Sequence, residues 1–236
     1  IGTELALNGV AAHAFCHILY KALLLMTAGA VMYRTGRTKC TDLGGLWKTM
    51  PVTLGFAIIG AVAISSLPGA NGFISKSMIT AAAAEEHLMV PYLLLLTASA
   101  GVALHAGIKY PWFVFFNIDR GLRPKEAPLH MHIAMAIVAG LCIGLGIFYT
   151  PLYDILPYPT AAAVYQPYDI GHVTELLQML MASGLAFYYM LPFLKRTETI
   201  SLDLDWFYRK GGQAFLGFVA GPFMKGVGYL ATFVHQ

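Results

Sequence analysis

His13, His17 and Lys21 follow one another at four-residue steps inside an otherwise apolar stretch. On a helix such a spacing stacks their side chains along one face, over about 12 Å of rise. An ionisable side chain in hydrocarbon costs roughly 3 kcal/mol on insertion scales, so a chain tolerates it where it faces protein or water. Desolvation penalises the charged form of an amine and brings its neutral form within reach. An imidazole donates from one ring nitrogen while accepting on the other. Three such groups in a row have the chemistry of a proton path. The competing account is that one histidine satisfies a carbonyl and Lys21 pairs with an acid elsewhere.

A second constellation surrounds Lys76. The run Leu67-Pro68-Gly69-Ala70-Asn71-Gly72 interrupts another apolar stretch. Pro and Gly at bilayer depth free backbone groups that only neighbouring protein or water can satisfy, and broken helices of this kind mark ion sites in transporters. Ser65, Ser66, Asn71 and Ser75 line the expected break, with Pro68, Gly69 and Gly72 within it, and Lys76 opens the next half-helix. A helix N-terminus disfavours a cation and the carbonyl end of the preceding half-helix favours one, so a modest rearrangement there would switch the proton affinity of Lys76. Against this stands a proline kink that serves packing alone, with Lys76 snorkelling outward.

His105 and Lys109 repeat the four-residue spacing and extend the path as further candidates, although Lys109 lies close enough to a helix end to snorkel past Trp112. Lys225 follows Gly221-Pro222 and reads as structural, Glu175 as interfacial. His87, His130, His132, His172 and His235 fall near span boundaries. Cys16, Cys40 and Cys142 have neither disulfide nor zinc spacing. Gly44-Gly45 lacks the strand and the Gly-Lys-Ser/Thr that a phosphate loop needs. Covalent catalysis is unsupported, and no catalytic residue, metal or cofactor is expected.

These residues have to be positioned by helices. With 58% hydrophobic and 11% charged residues and a mean hydropathy of +0.65, the chain has too little polar surface to cover a soluble globule. Apolar stretches over about 6–33, 51–85, 88–117, 129–150, 171–194 and 213–235 predict an all-α polytopic membrane protein of about six transmembrane helices, the second broken at 67–72. Two parts are expected: residues 1–118, holding three helices and the path, and residues 119–236, a bundle of three more with an interfacial segment at 198–212. There, Asp205 is expected to cap a short turn ended by Gly211 and Gly212. The chain opens on Ile1 with no basic leader in front, which reads as part of a longer protein.

Eleven of the fifteen Lys and Arg residues lie in segments 34–50, 118–128 and 195–212. By the positive-inside rule these face the cytoplasm, of a bacterial inner membrane. The net charge of +3 is accounted for by this asymmetry, so no nucleic-acid partner is expected. Trp47, Trp112 and Trp206 mark the cytoplasmic interface. Tyr149, Tyr153, Tyr158, Tyr165 and Tyr168 mark the outer one, in a proline-rich segment expected to be extended.

The stretches AHAFCHILYKALLLMTAGAV, TDLGGLWKTMP and SSLPGANGFISKSM, in that order, resemble the second half of the proton-conducting antiporter-like membrane subunits found in respiratory complex I and in Mrp-type cation/proton antiporters. DWFYRKGG resembles the ending of D-type members of the Mrp group. The resemblance implies that His13, His17 and Lys21 belong to a central hydrophilic axis and that Lys76 is its terminal proton-transfer site. It also implies partners: other membrane subunits, the N-terminal half of the fold, protons and Na+. The family's early acid and its first broken helix have no counterpart here. Three readings follow: a proton-translocating subunit of a multisubunit Na+/proton antiporter, a pump subunit of a complex I-type NADH:quinone oxidoreductase, and a scaffold that conducts nothing.

Overall fold

The computed structural model describes residues 2–194 and 203–227, and among these every regular element is helical. Two compact units emerge, Ile1–Arg196 and Thr197–Gln236.

The first unit is organised around α1, Glu4–Thr35, whose limits follow from its ends. Thr3 caps it by accepting from the Ala6 N–H at 3.3 Å, and Gly36, at φ 66°, closes it by donating to the Met32 carbonyl at 2.8 Å. At 1.5 Å per residue α1 is about 48 Å long, more than the roughly 30 Å of a hydrocarbon layer. Against it pack α2 (Pro51–Ile64), α3 (Asn71–Glu85) and α5 (Leu129–Ile147). Ala12, Cys16, Tyr20 and Leu23 of α1 meet Phe73, Ile74 and Met78 of α3 and Met135, Ala139 and Cys142 of α5 in the main core. Helix α4 begins at Met89 and runs to Phe116 as one helical rod. Its course includes π-helical stretches at Ala103–Lys109 and Trp112–Phe116, on either side of Pro111. A wider turn accommodates a ring that would otherwise strike the carbonyl four residues back. Helix α8, Ile170–Met190, packs on α4 and on the 103–109 stretch.

Four helices are long and apolar enough to cross a membrane by length and composition: α1, Met89–Phe116, α5 and α8. They coincide with four of the six expected spans. The 51–85 stretch forms two shorter helices. Helix α3 already begins at Asn71, so the non-helical residues are 65–70 rather than 67–72. Large apolar side chains such as Ile18, Leu25, Leu94 and Ile137 stand exposed on these rods, as lipid-facing residues do.

At the basic end, two carboxylates join the connecting segments. Glu126 accepts from the Val52 and Thr53 N–H groups (2.6 and 3.2 Å) and from the Thr53 hydroxyl (2.7 Å), capping α2, and it also meets His132 at 3.1 Å. Burial alone would raise its carboxyl, but these bonds and one from the Ala127 N–H hold it below the usual range. Arg34 donates to the Glu126 carbonyl, tying in the end of α1. Asp119 receives Arg123 at 2.8 and 2.9 Å, the Gly121 N–H, and Lys48 at 3.0 Å, and these donors hold it well below the ordinary carboxylate range. The Gly44-Gly45 pair is what lets Asp119 approach. A Cβ at Gly44 would sit 2.2 Å from the Ile118 carbonyl oxygen, and one at Gly45 2.6 Å from the Asp119 carboxyl carbon, both at positive φ.

The opposite end differs from expectation. The segment expected to be extended holds two short helices, α6 (Thr150–Tyr153) and α7 (Pro159–Val164). In each, a proline occupies the first turn, where its fixed φ favours a helix start and its missing N–H costs nothing. The buried Asn8 side chain makes a two-way bond with Tyr158, donating to its carbonyl at 2.8 Å and accepting from its N–H at 2.9 Å, which fastens this segment to α1.

In the second unit, α9 (Asp205–Phe218) continues through a π-helical stretch at Val219–Phe223 that contains Pro222. Asp205 does not cap a short turn: it is the first helical residue, its carboxylate pairs with Arg209 one turn on, and the helix runs through Gly211 and Gly212. Lys195, Arg196, the Ile200–Leu202 part of the expected alternation, and positions 228–235 of the sixth expected span lie outside the described residues.

Candidate functional site

The break between α2 and α3 is a crossing of backbones at close range. A Cβ at Gly72 would stand 1.9 Å from the Ala63 carbonyl oxygen, so only glycine lets the first turn of α3 lie against the last turn of α2. Gly107 in the 103–109 stretch is pressed in the same way on the Ser65 hydroxyl, at 1.9 Å for its missing Cβ. Ser66, a non-glycine residue at φ 65°, carries the chain through the turn in the left-handed region. Its hydroxyl and the Asn71 side-chain oxygen are buried and, among the described residues, have no hydrogen-bond partner. The Asn71 amide reaches the Cys16 carbonyl at 3.5 Å.

Lys76, one turn into α3, folds back over this break. Its ammonium donates to the Ile64 carbonyl at 2.7 Å and to the Ser99 hydroxyl of α4 at 3.3 Å. Sequence reasoning placed the amine near the positive end of α3. Its head instead meets the last carbonyls of α2, where a helix dipole favours a cation. Ser75, its neighbour, is 3.1 Å from His13 Nδ1, which ties α3 to the histidine stripe of α1. Along that stripe the His13 and His17 ring centres are 5.9 Å apart, and His17 meets the Tyr20 ring edge-on at 5.3 Å.

One cavity, of about 410 Å³, collects these groups: His13, His17, Tyr20 and Lys21 of α1, Lys76 of α3, and His105 of α4. Of these, His13 and Lys76 are half-buried, while His17, Lys21 and His105 are exposed. Lys109 sits four residues beyond His105, half-buried, toward Trp112. A second cavity of about 200 Å³ adjoins Lys76 and His13 on the other side, lined chiefly by apolar side chains of α3, α4 and Leu176. Ser65, Ser66, Asn71 and Ser75 are all buried at the break, with Pro68 and Gly69 half-buried beside them. Lys225 lies in the second unit and is exposed; Glu175 accepts from the Tyr92 hydroxyl at 2.6 Å.

Tyr20, Ser99 and the Ile64 carbonyl were not singled out from the sequence. Ser99 lines the smaller cavity with Leu95 and Val102, which stand four residues before it and three after it on the same helix, and that spacing was the signal available. For Ile64 none exists, because the interacting group is a backbone oxygen. Among the described residues no group of three or more His, Cys, Asp and Glu is arranged to hold a metal ion.

Helices throughout the described residues, four of them long and apolar enough to cross a membrane, define an integral membrane protein. Residues 1–102 match the family described as NADH:quinone oxidoreductase/Mrp antiporter, transmembrane, and in this stretch the chain is similar to that family. A probable K(+)/H(+) antiporter subunit of Rhizobium meliloti (strain 1021) is 32% identical over 168 residues, 67% of this chain and 16% of the relative. "Hydrogenase-4 component B" of Escherichia coli (strain K12) is 32% identical over 153 residues, 60% of this chain and 23% of the relative. A Na(+)/H(+) antiporter subunit of Alkalihalophilus pseudofirmus (strain ATCC BAA-2126 / JCM 17055 / OF4) is 32% identical over 165 residues, 64% of this chain and 20% of the relative. The chain thus spans between 16% and 23% of the length of these relatives.

Proposed function

We propose that this chain is a proton-translocating part of a multisubunit Na+/proton antiporter, in which protons move between waters and the side chains of His13, His17, Lys21 and Lys76, with His105 and Lys109 as a further branch. The observation that carries this reading is the single cavity on which four of these residues and His105 converge from three helices. At about 30 Å³ per water its volume holds on the order of ten molecules. Lys76 is the switching group. As an ammonium it is held by the Ile64 carbonyl and Ser99; as a neutral amine it accepts a proton through His13, and movement of the 65–70 turn exchanges one state for the other.

In this reading α2 and α3 are two halves of one broken membrane crossing, the described part of 205–227 belongs to a sixth, residues 1–118 carry the path and residues 119–236 form the C-terminal membrane bundle. The basic end faces the cytoplasm of a bacterial inner membrane. The exposed edge at His17 and Lys21 faces other membrane subunits or the N-terminal half of the fold. A pump subunit driven by a redox complex is the second reading, favoured by the family description and by the hydrogenase relative.

The test is proton movement in vesicles containing the assembled complex. Lys21→Ala and Lys76→Ala should each abolish it without loss of assembly, and His17→Ala should slow it without ending it, because water bridges the gap. Undiminished transport in both lysine variants would refute the assignment. Proton movement driven by an imposed Na+ gradient supports the antiporter; movement that appears only with a quinone and an electron donor supports the pump.

A further inference from the structure

We propose that Tyr168, in the segment between α7 and α8, is a positioning residue that sets the 65–70 turn against Lys76 and thereby tunes proton exchange at that amine. Its hydroxyl accepts from the Gly69 N–H at 3.2 Å and donates to the Gly146 carbonyl of α5. Its ring stacks on Phe73 with centres 5.1 Å apart and planes 25° from parallel. Gly146 presses on the same turn: a Cβ there would lie 2.4 Å from the Gly69 carbonyl oxygen and 2.5 Å from the Ala70 Cα. The turn is therefore held from outside by α5 and by one tyrosine.

External support is needed because the turn is not relaxed by itself. Ser66 occupies the left-handed region at φ 65°, a conformation that persists where surrounding contacts determine it. Each partner of the Lys76–Ile64 bond is linked along the chain to one of Tyr168's contacts. Gly69 lies at the far end of the turn that starts after Ile64, and Phe73 lies one helical turn before Lys76 on α3. A displacement of the tyrosine thus changes the spacing between the donor and its acceptor carbonyl without touching either. The titratable groups that share the two cavities with Lys76 are His13, His17, Lys21 and Tyr20 of α1 and His105 of α4. Substitution at Tyr168 leaves all five in place, so a change at Lys76 reports on the turn.

The inference rests on the reading of Lys76 as a proton-exchanging group, and the experiment separates the two. Tyr168→Phe keeps the ring stack and removes both hydrogen bonds. In the assembled complex, competitive labelling of Lys76 with acetic anhydride across pH, read by mass spectrometry, should show its half-labelling pH moved by about half a unit or more, a roughly threefold change in amine reactivity at fixed pH. Labelling of Lys48 at the basic end should be unchanged, and the pH profile of proton transport should move with Lys76. Phe73→Leu, which keeps the hydrogen bonds and removes the stack, should move Lys76 as well and serves if the first variant does not accumulate. Wild-type labelling of Lys76 in the variants would overturn the positioning role, even if Lys76→Ala abolishes transport. Unimpaired transport in Lys76→Ala would overturn the transport reading, while the labelling shift still decides the role of Tyr168.

Discussion

Gly72→Ala tests whether the close crossing of α2 and α3 governs Lys76. The added Cβ would lie 1.9 Å from the Ala63 carbonyl oxygen, a distance that real Cβ contacts do not reach below 3.0 Å, so the two helix ends must part by about 1 Å. Both sides of the collision are backbone, which leaves no flexible side chain to yield. Ile64, next to Ala63, accepts Lys76 at 2.7 Å. An added 1 Å takes that contact beyond the roughly 3.2 Å at which such bonds are made. Overpacking of this kind costs about 1–3 kcal/mol, and a lost hydrogen bond to a charged group about 1.5–3 kcal/mol. Since about 1.4 kcal/mol is a factor of ten in rate, proton transport in vesicles should fall at least about tenfold if that loss falls on the transfer step. Gly55→Ala in α2, where a Cβ meets nothing within 4 Å, is the matched control and should transport normally. A Gly72→Ala protein with wild-type transport and an unchanged thermal midpoint would show that the break tolerates separation, and the switching account of Lys76 would be refuted.

The basic end yields two further tests. Glu126→Ala removes the acceptor that caps α2 and should lower stability by about 1 kcal/mol, read as a reduced thermal midpoint of the purified assembly. Because the Glu126 carboxyl is held below its ordinary range, its contribution is complete at neutral pH and is lost as pH falls through and below the ordinary carboxylate range. Hydrogen exchange at Val52 and Thr53, corrected for the intrinsic rate, should therefore accelerate on acidification, and an unchanged protection factor would contradict the cap. Gly45→Ala combines left-handed strain of about 1 kcal/mol with a Cβ 2.6 Å from the Asp119 carboxyl carbon, so it should displace Asp119 from Lys48. Faster proteolysis across 117–125 is expected, and wild-type resistance would count against the packing argument.

The helical path of α1, α4, α5 and α8 was legible because each is a long apolar run ended by local chemistry, such as Thr3 and Gly36 at the two ends of α1. The His13, His17, Lys21 stripe was legible for the same reason, since a four-residue spacing on a helix is a statement about one face. Where the reading failed, local chemistry competed with itself. Prolines 151 and 159 suggested an extended segment but sit in the first turns of two short helices. Gly211 and Gly212 suggested a stop but lie inside α9. At these places the residue type permits more than one backbone state, and neighbours make the choice.

Sequence by itself determined that this chain is a set of apolar helices carrying a few amines and imidazoles, because hydropathy and periodicity are properties of contiguous residues. Only the tertiary structure decided that Lys76 turns back to the Ile64 carbonyl and across to Ser99, that His13 meets Ser75, and that His105 joins them from a third helix around one cavity. The acceptor at Ile64 is a backbone oxygen, which every residue possesses. It becomes specific only when the missing side chains of Gly72 and Gly146 let helices approach closely enough to aim it.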